Sequence, residues 1–234
     1  MRQIGLFILL FFACIALRAK VYVVSAGIAD YPGIENDLRI SDNDAKTIAK
    51  VFLATKDASV KVLTNKDVTQ SALLSTMHST FEDAESDDAV ILYFSGHGTP
   101  GALVCHDGRL TYQHIFKMLK GCKAQRKIII VDACYSGKMR TNRQKSSDVN
   151  NQNVMLFLSS RTNETSLETP YKNSMFTIFL ERGLRGGADT NKDRQITARE
   201  IFDFVHDGVM EASGQNQHPV MWGKFDNNMT IIKW

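Results

Sequence analysis

Two unbroken apolar runs constrain this chain more than any other feature: "DAVILYFS" at 88–95 and "KIIIVDAC" at 127–134. Neither alternates polar with apolar residues, as a strand with one wet face would. Both are short and rich in β-branched or aromatic residues, so they predict strands buried on both faces, the kind found in the middle of a parallel sheet. "KVYVVSAG" (20–27), "SVKVLT" (59–64) and "VMLFLSS" (154–160) read as further strands. Helical periodicity falls between the strands. The segment 41–55 places Ala45, Ile48, Ala49 and Phe52 on one face, 69–81 opens with Thr69 as an N-cap, and a third helix covers 111–120. Strand and helix alternating in this order predict an α/β fold with a mostly parallel sheet and helices on both faces.

Two stretches stand outside that pattern. In "MRQIGLFILLFFACIALRA" (1–19), Arg2 precedes an apolar core over 4–17 and a small residue, Ala19, ends the run. This is the form of a secretory signal peptide cleaved after Ala19, and it predicts a secreted or periplasmic protein. No later apolar run reaches spanning length, so no stable membrane span is expected in the mature chain. Removing the leader takes Arg2 and Arg18 with it, so 28 basic residues become 26 against 25 acidic ones. A mature net charge of about +1 gives a nucleic-acid partner no electrostatic footing. Cys14 leaves as well, and Cys105, Cys122 and Cys134 remain. In an oxidising compartment that odd count leaves at least one thiol outside any intramolecular bridge, with Cys105–Cys122 one available pairing. The second stretch, "GKMRTNRQKSSDVNNQN" (137–153), is polar and lacks aromatics, and it divides the mature chain into a larger front and a smaller back piece.

In open α/β sheets ligands gather at the carboxyl ends of the strands. His97 lies just past the end of one of the two apolar runs, and Cys134 ends the other. Gly96, Gly98 and Gly101 spell G-x-G-x-x-G, but Pro100 and "GALVCHDGRL" follow, which read as turn and strand rather than as the helix a dinucleotide site requires. An imidazole beside a thiol makes a nucleophile instead. In that chemistry Gly98 lets a backbone N–H approach a substrate carbonyl, and Gly137 relieves crowding after the nucleophile.

"YFSGHG" followed by "IIIVDACYSG" resembles the active site of the caspase-like cysteine peptidases, above all the metacaspases and their bacterial relatives. "VYVVSAGIADYPGIENDLRISDNDA", "LSSRTNETSLE" and "MFTIFLERGLRGGADTNKD" extend the likeness over nearly all of residues 20–205. The resemblance implies a three-layer αβα sandwich with a mostly parallel central sheet. Residues 20–137 are then large-subunit-like, 138–153 an intersubunit linker, and 154–234 a small-subunit-like part of the same domain. It implies His97 as general base and acid, Cys134 as nucleophile, and the backbone N–H groups of Gly98 and Cys134 as the oxyanion hole. It implies an S1 pocket with Asp44 and Asp132, and Ser95 alongside. Two carboxylates there favour Arg or Lys at P1 and disfavour Asp. No basic residue stands in "SAGIADY", where caspases proper hold an Arg. Peptides or proteins cut after Arg or Lys are the expected substrates. Lys138, Arg140, Arg143 and Lys145 then become candidate points of self-cleavage in a zymogen. A legumain-like peptidase of the same clan, cutting after Asn or Asp, and a non-catalytic peptide-binding domain are the alternatives.

Several of these residues have a second reading. Ser41-x-x-Asp44 also fits a helix cap, Asp132 could orient a loop, and Ser95 could be a strand-end turn residue. No organic cofactor is required. "DTNKDRQITARE" (189–200) places Asp189, Asn191, Asp193, Gln195, Thr197 and Glu200 at the ligand spacings of a calcium loop, but Arg194 stands where the sharp turn wants Gly. Thr197-x-x-Glu200 equally spells a capping box. Calcium-dependent metacaspases also use an aspartate cluster after the catalytic histidine, and here Asp107 is alone in "GTPGALVCHDG". His78, His106, His114, His206 and His218 show no metal-ligand spacing.

Overall fold

Six strands build the central sheet. Along the chain come β1 (Val21–Gly27), α1 (Ser41–Leu53), β2 (Ala58–Thr64), α2 (Gln70–Phe81) and β3 (Ala89–Ser95). A small antiparallel sheet follows, made of β4 (Gly98–Thr99), β5 (Ala102–Cys105) and β6 (Gly108–Thr111). Then come α3 (Tyr112–Lys120), β7 (Arg126–Asp132), β8 (Val154–Leu158), α4 (Met175–Arg182), β9 (Gln195–Thr197), α5 (Ala198–Ala212), β10 (Val220–Gly223) and β11 (Thr230–Lys233). The computed structural model describes residues 19–133, 153–160 and 172–234. Residues 1–18 of the leader, Cys134, the linker residues Lys138, Arg140, Arg143 and Lys145, and the segment 161–171 lie outside the described residues.

The strand order is β10-β8-β7-β3-β1-β2, parallel throughout except for β10 against β8. This is the expected mostly parallel α/β fold. β3 and β7 lie side by side inside the sheet and are almost wholly buried, as their unbroken apolar composition requires. Their side chains alternate between two cores. Val90, Leu92, Phe94, Ile129 and Val131 join residues of α2 and α3 on one face. Ile91, Tyr93, Ile128 and Ile130 join residues of α1, α4 and α5 on the other. The period of two therefore sends Ser95 and Asp132, at the two strand ends, toward the α1/α4 face.

Helix boundaries follow local chemistry. Thr69 caps α2 by accepting the Ala72 N–H at 3.1 Å. Ala45, Ile48, Ala49 and Phe52 are all buried on α1. Thr197 and Glu200 form the capping box of α5, with Glu200 N–H donating to Thr197 Oγ1 at 3.3 Å and Thr197 N–H to Glu200 Oε2 at 3.0 Å. The short strands β9, β10 and β11 carry no periodic signal and went unpredicted; they form only where neighbours supply the pairing. Cys105 and Cys122 do not pair: both are free thiols. Burial, with Asp107 adding to it, pushes the Cys105 thiol up to about 12. Among the described residues no helix is long and apolar enough to cross a membrane.

Candidate active site

The carboxyl ends of β3 and β7 lie in register, Ser95 opposite Asp132, and the Gly96 N–H donates to the Asp132 carbonyl at 3.1 Å. Two residues past Ser95, the chain presents His97 from a loop that Tyr31 holds in place. The Tyr31 hydroxyl accepts the His97 backbone N–H at 2.9 Å and donates to the Val104 carbonyl at 3.0 Å. Its ring lies against the imidazole, centroids 4.7 Å apart. Gly96 makes this approach feasible, since a Cβ there would fall 2.6 Å from the Tyr31 hydroxyl oxygen.

The imidazole itself is oriented by backbone. His97 Nε2 is 2.7 Å from the Asn36 carbonyl oxygen. A carbonyl only accepts, so Nε2 carries the proton, and in the neutral ring Nδ1 is the basic nitrogen. The Val104 N–H donates to His97 O at 3.0 Å. Gly98 and Leu103, the next pair in the β4–β5 ladder, are therefore of the non-hydrogen-bonded kind, and the Gly98 N–H points away from β5. Cys134, the expected nucleophile and second oxyanion donor, follows the buried Ala133 in the chain and lies outside the described residues.

Asp44, Ser95 and Asp132 meet on the α1/α4 face. The Ser95 hydroxyl donates to Asp44 Oδ2 at 2.9 Å. Asp44 Oδ1 accepts from Asn173 Nδ2 at 2.9 Å and from the Ser174 N–H at 3.0 Å. Asp132 Oδ2 accepts from the Ser174 hydroxyl and, at 3.3 Å, from the Thr177 hydroxyl. With the Thr177 proton committed to Asp132, the Tyr93 hydroxyl, 2.6 Å away, must donate to Thr177. Asp44 is 0% exposed and Asp132 3%. Burial pushes the Asp44 carboxyl up to about 8, and the charge of Asp132 adds to the rise. Hydrogen bonds from Asn173, Ser174 and Ser95 only partly offset it.

The capping reading of Asp44 is corrected by this geometry. α1 begins at Ser41 with Ile40 at the N-cap, so Asp44 sits four residues into the helix, beyond reach of the cap, with its carboxylate aimed at the sheet. Ser95 is likewise more than a turn residue, because its hydroxyl is buried against that carboxylate. Sequence reasoning missed Tyr31, the Asn36 carbonyl, Asn173, Ser174 and Thr177. Only Ser174 had a usable signal, as a Ser before an apolar helical run. It caps α4 by accepting the Thr177 N–H at 3.0 Å.

The 189–200 loop is built differently. Asp189 accepts from the N–H groups of Asp193 and Arg194 at 3.1 and 3.0 Å, and Asp193 from Gln195 at 2.8 Å. Arg194 adopts a left-handed φ of 63°, the conformation that the missing Gly would have supplied. Among the described residues no three His, Cys, Asp or Glu side chains group as a metal site would need.

Comparison with known proteins adds the family. The caspase domain matches over residues 22–229. Caspase-1 from Spodoptera frugiperda superposes with a TM-score of 0.71 at 16% identity, covering 92% of this chain and 90% of its own. A protein from Geobacter sulfurreducens superposes with a TM-score of 0.68, also at 16% identity, over 88% of this chain and 94% of its own. No curated protein sequence matches. At that identity the two structures establish the caspase-like fold. The family match spans most of the chain and carries with it the expectation of cysteine peptidase chemistry on protein substrates: the chain belongs to the caspase-domain family.

Proposed function

We propose that the protein is an exported cysteine endopeptidase that cuts after Arg or Lys. Cys134 is the nucleophile. His97 Nδ1 takes the thiol proton, because Nε2 is tied to the Asn36 carbonyl. Sγ attacks the peptide carbonyl while the Gly98 and Cys134 N–H groups receive the oxyanion. His97 then returns the proton to the departing amine, and water hydrolyses the thioester. The observation that carries the choice of P1 residue is the buried pair Asp44 and Asp132, which share one face at the strand ends with Ser95 between β3 and α1. A guanidinium or ammonium entering there would favour loss of the Asp44 proton and meet two carboxylates in charge-assisted contacts, whereas a P1 carboxylate would add a further negative charge beside Asp132. The same preference directed at the linker makes Lys138, Arg140, Arg143 and Lys145 points of self-cleavage, which would mature a zymogen into two associated pieces. The leader 1–19 directs export, and no organic cofactor takes part.

A panel of fluorogenic peptides differing only at P1, run on wild type and Cys134→Ala with and without chelator, tests the reading. Cleavage after Arg and Lys, abolished by Cys134→Ala and indifferent to chelator, is the expected result. A preference for Asn or Asp would sink the acidic-pocket assignment in favour of the legumain-like alternative. Failure of Cys134 to react with a substrate-like electrophile under reducing conditions would replace catalysis with peptide binding. A Cys134→Ala chain that is still cut in the linker would assign that cut to another protease.

A further inference from the structure

His97 borders a second space that the P1 pocket does not use. On the far side of the imidazole from Ser95 lies a hollow of about 430 Å³, lined by Tyr31, Pro32, His97, Thr99, Val104 and His106 among others. The two spaces fall on opposite faces of the sheet. Ser95 and Asp132 point toward the face covered by α1 and α4, whereas Tyr31, Leu103 and Cys105 belong to the core on the α2 and α3 face. His97 stands between them, past the end of β3.

Peptide geometry decides what the hollow receives. In the acylation step written above, an S–C bond forms, the C–N bond breaks, and the amine departs with the proton held by His97. That amine nitrogen belongs to the residue after the scissile bond, and it must come within hydrogen-bond reach of the imidazole. A chain whose P1 side chain descends toward Asp44 and Asp132 therefore crosses the end of β3 and delivers its next residue on the far side of His97. We infer that the Tyr31–Val104 hollow binds the side chain on the C-terminal side of the scissile bond and selects an uncharged, apolar residue there. The inference rests on the peptidase reading.

The lining supports the class of side chain. Among the described residues the lining contains no carboxylate, lysine or arginine; its Tyr31 hydroxyl is already committed to His97 and Val104, and Asn36, Thr99 and His106 are its other polar side chains beside His97. A charged side chain would meet no acidic, lysine or arginine side chain of opposite charge among the described residues, whereas an aliphatic or aromatic one would cover Tyr31, Pro32 and Val104.

Internally quenched peptides test this, with P1 fixed at whichever residue the wild type cuts best and the following residue varied among Leu, Phe, Gly, Asp and Lys. An aminocoumarin amide of the same P1 sequence, which carries no amino acid after the bond, reports the rest of the machinery alone. Leu and Phe peptides should exceed Asp and Lys peptides in kcat/KM by about tenfold. Pro32 is exposed at the mouth, so Pro32→Glu should raise the Lys peptide relative to Leu by a similar factor. A second measurement does not depend on any variant: Leu-amide should capture the acyl-enzyme in preference to Asp-amide. Coumarin release accompanied by a flat profile over the five peptides overturns the subsite alone. So does an order unchanged in Pro32→Glu, or equal capture of the two amides. No hydrolysis of any substrate overturns the peptidase reading and the subsite with it.

Discussion

Two groups of acidic residues in this protein make opposite use of their charge. Asp44 and Asp132 are buried at the strand ends, and most of their known donors are side chains from β3 and the start of α4. Asp189 is half-buried and Asp193 exposed, both turned back onto the N–H groups of their own loop, while Glu200 closes the capping box. Burial lifts Asp44 to about 8. For Glu200, desolvation is the largest single influence and works upward, but hydrogen bonds from Thr197 and Thr190 together outweigh it and hold the carboxyl below its ordinary value. In the proposed function the first group keeps a free energy that a P1 cation would release. The second has already turned its acceptors onto N–H groups and side chains of its own loop and cap. Acid residues at suggestive spacing do not by themselves mark a cation site; burial decides how strongly their charge is resisted.

The sharpest way to break this contrast is to neutralise the buried pair. Asp44→Asn and Asp132→Asn should each lower kcat/KM for a P1-Arg peptide by about a hundredfold or more, because a desolvated charge partner is lost. A loss below threefold in both variants would remove the pair from substrate recognition. Glu200→Gln, the matched change in the other group, should leave that kcat/KM within about twofold.

The two groups also differ in how much of them could be read from sequence. β3 and β7 were legible because a fully buried strand must be apolar throughout, and a strict period of two then places Ser95 and Asp132 on one face. Asp44 lies four residues before Ile48, so helical spacing puts it on the buried side of α1. Nothing local announces Asn173, Ser174 and Thr177 as their partners, because these lie about 130 and 45 residues away along the chain and are brought in only by the packing of α4. Tyr31 and the Asn36 carbonyl were hidden for a related reason. One acts through a hydroxyl that reaches from the loop after β1 to His97 and to Val104 of β5, and the other is backbone, which no residue type reveals. The Thr197–Glu200 box needed no tertiary information and was legible outright.

Ser174 joins both kinds of bonding in one residue, since it caps α4 and donates to Asp132. Ser174→Ala should destabilise the protein by about 2 kcal/mol, a lost cap together with a lost charge-assisted bond. Chemical denaturation at neutral pH measures this, and a change under about 0.5 kcal/mol would mean that Asp132 finds its donors elsewhere.

Titration separates the groups without any substitution. The folded-state pKa of Asp44 is raised from 3.8 to about 8, so its protonated form stabilises the fold. That contribution is complete below the unfolded value and is lost as pH rises through the folded one. The melting temperature of Asp44→Asn should therefore rise relative to wild type between pH 4 and pH 8, with no such trend for Glu200→Gln. A basic P1 group needs Asp44 ionised. Affinity for a reversible P1-Arg inhibitor should accordingly increase by about tenfold from pH 6.5 to 8 and level off above. An affinity that is flat over this range would mean that Asp44 does not exchange its proton for the ligand's charge.

The smallest effects belong to the exposed loop. Thr197→Ala should cost about 1 kcal/mol by opening the capping box, with catalysis intact. Calcium then asks whether that loop is as self-satisfied as its geometry implies. A bound cation would have to share the Asp189 and Asp193 oxygens with the N–H groups of Asp193, Arg194 and Gln195, and compete with the cap for Glu200. Arg194 already occupies the left-handed turn, so the loop's shape would not be the obstacle; the competition would be for acceptors. Millimolar calcium should move the melting temperature by less than about 1 °C. A ligand present at a hundred times its dissociation constant would instead stabilise by about 2.7 kcal/mol, a shift of several degrees in a protein of this size. Such a shift, lost in Asp193→Ala, would show that the second group too holds charge in reserve and would erase the distinction between the two.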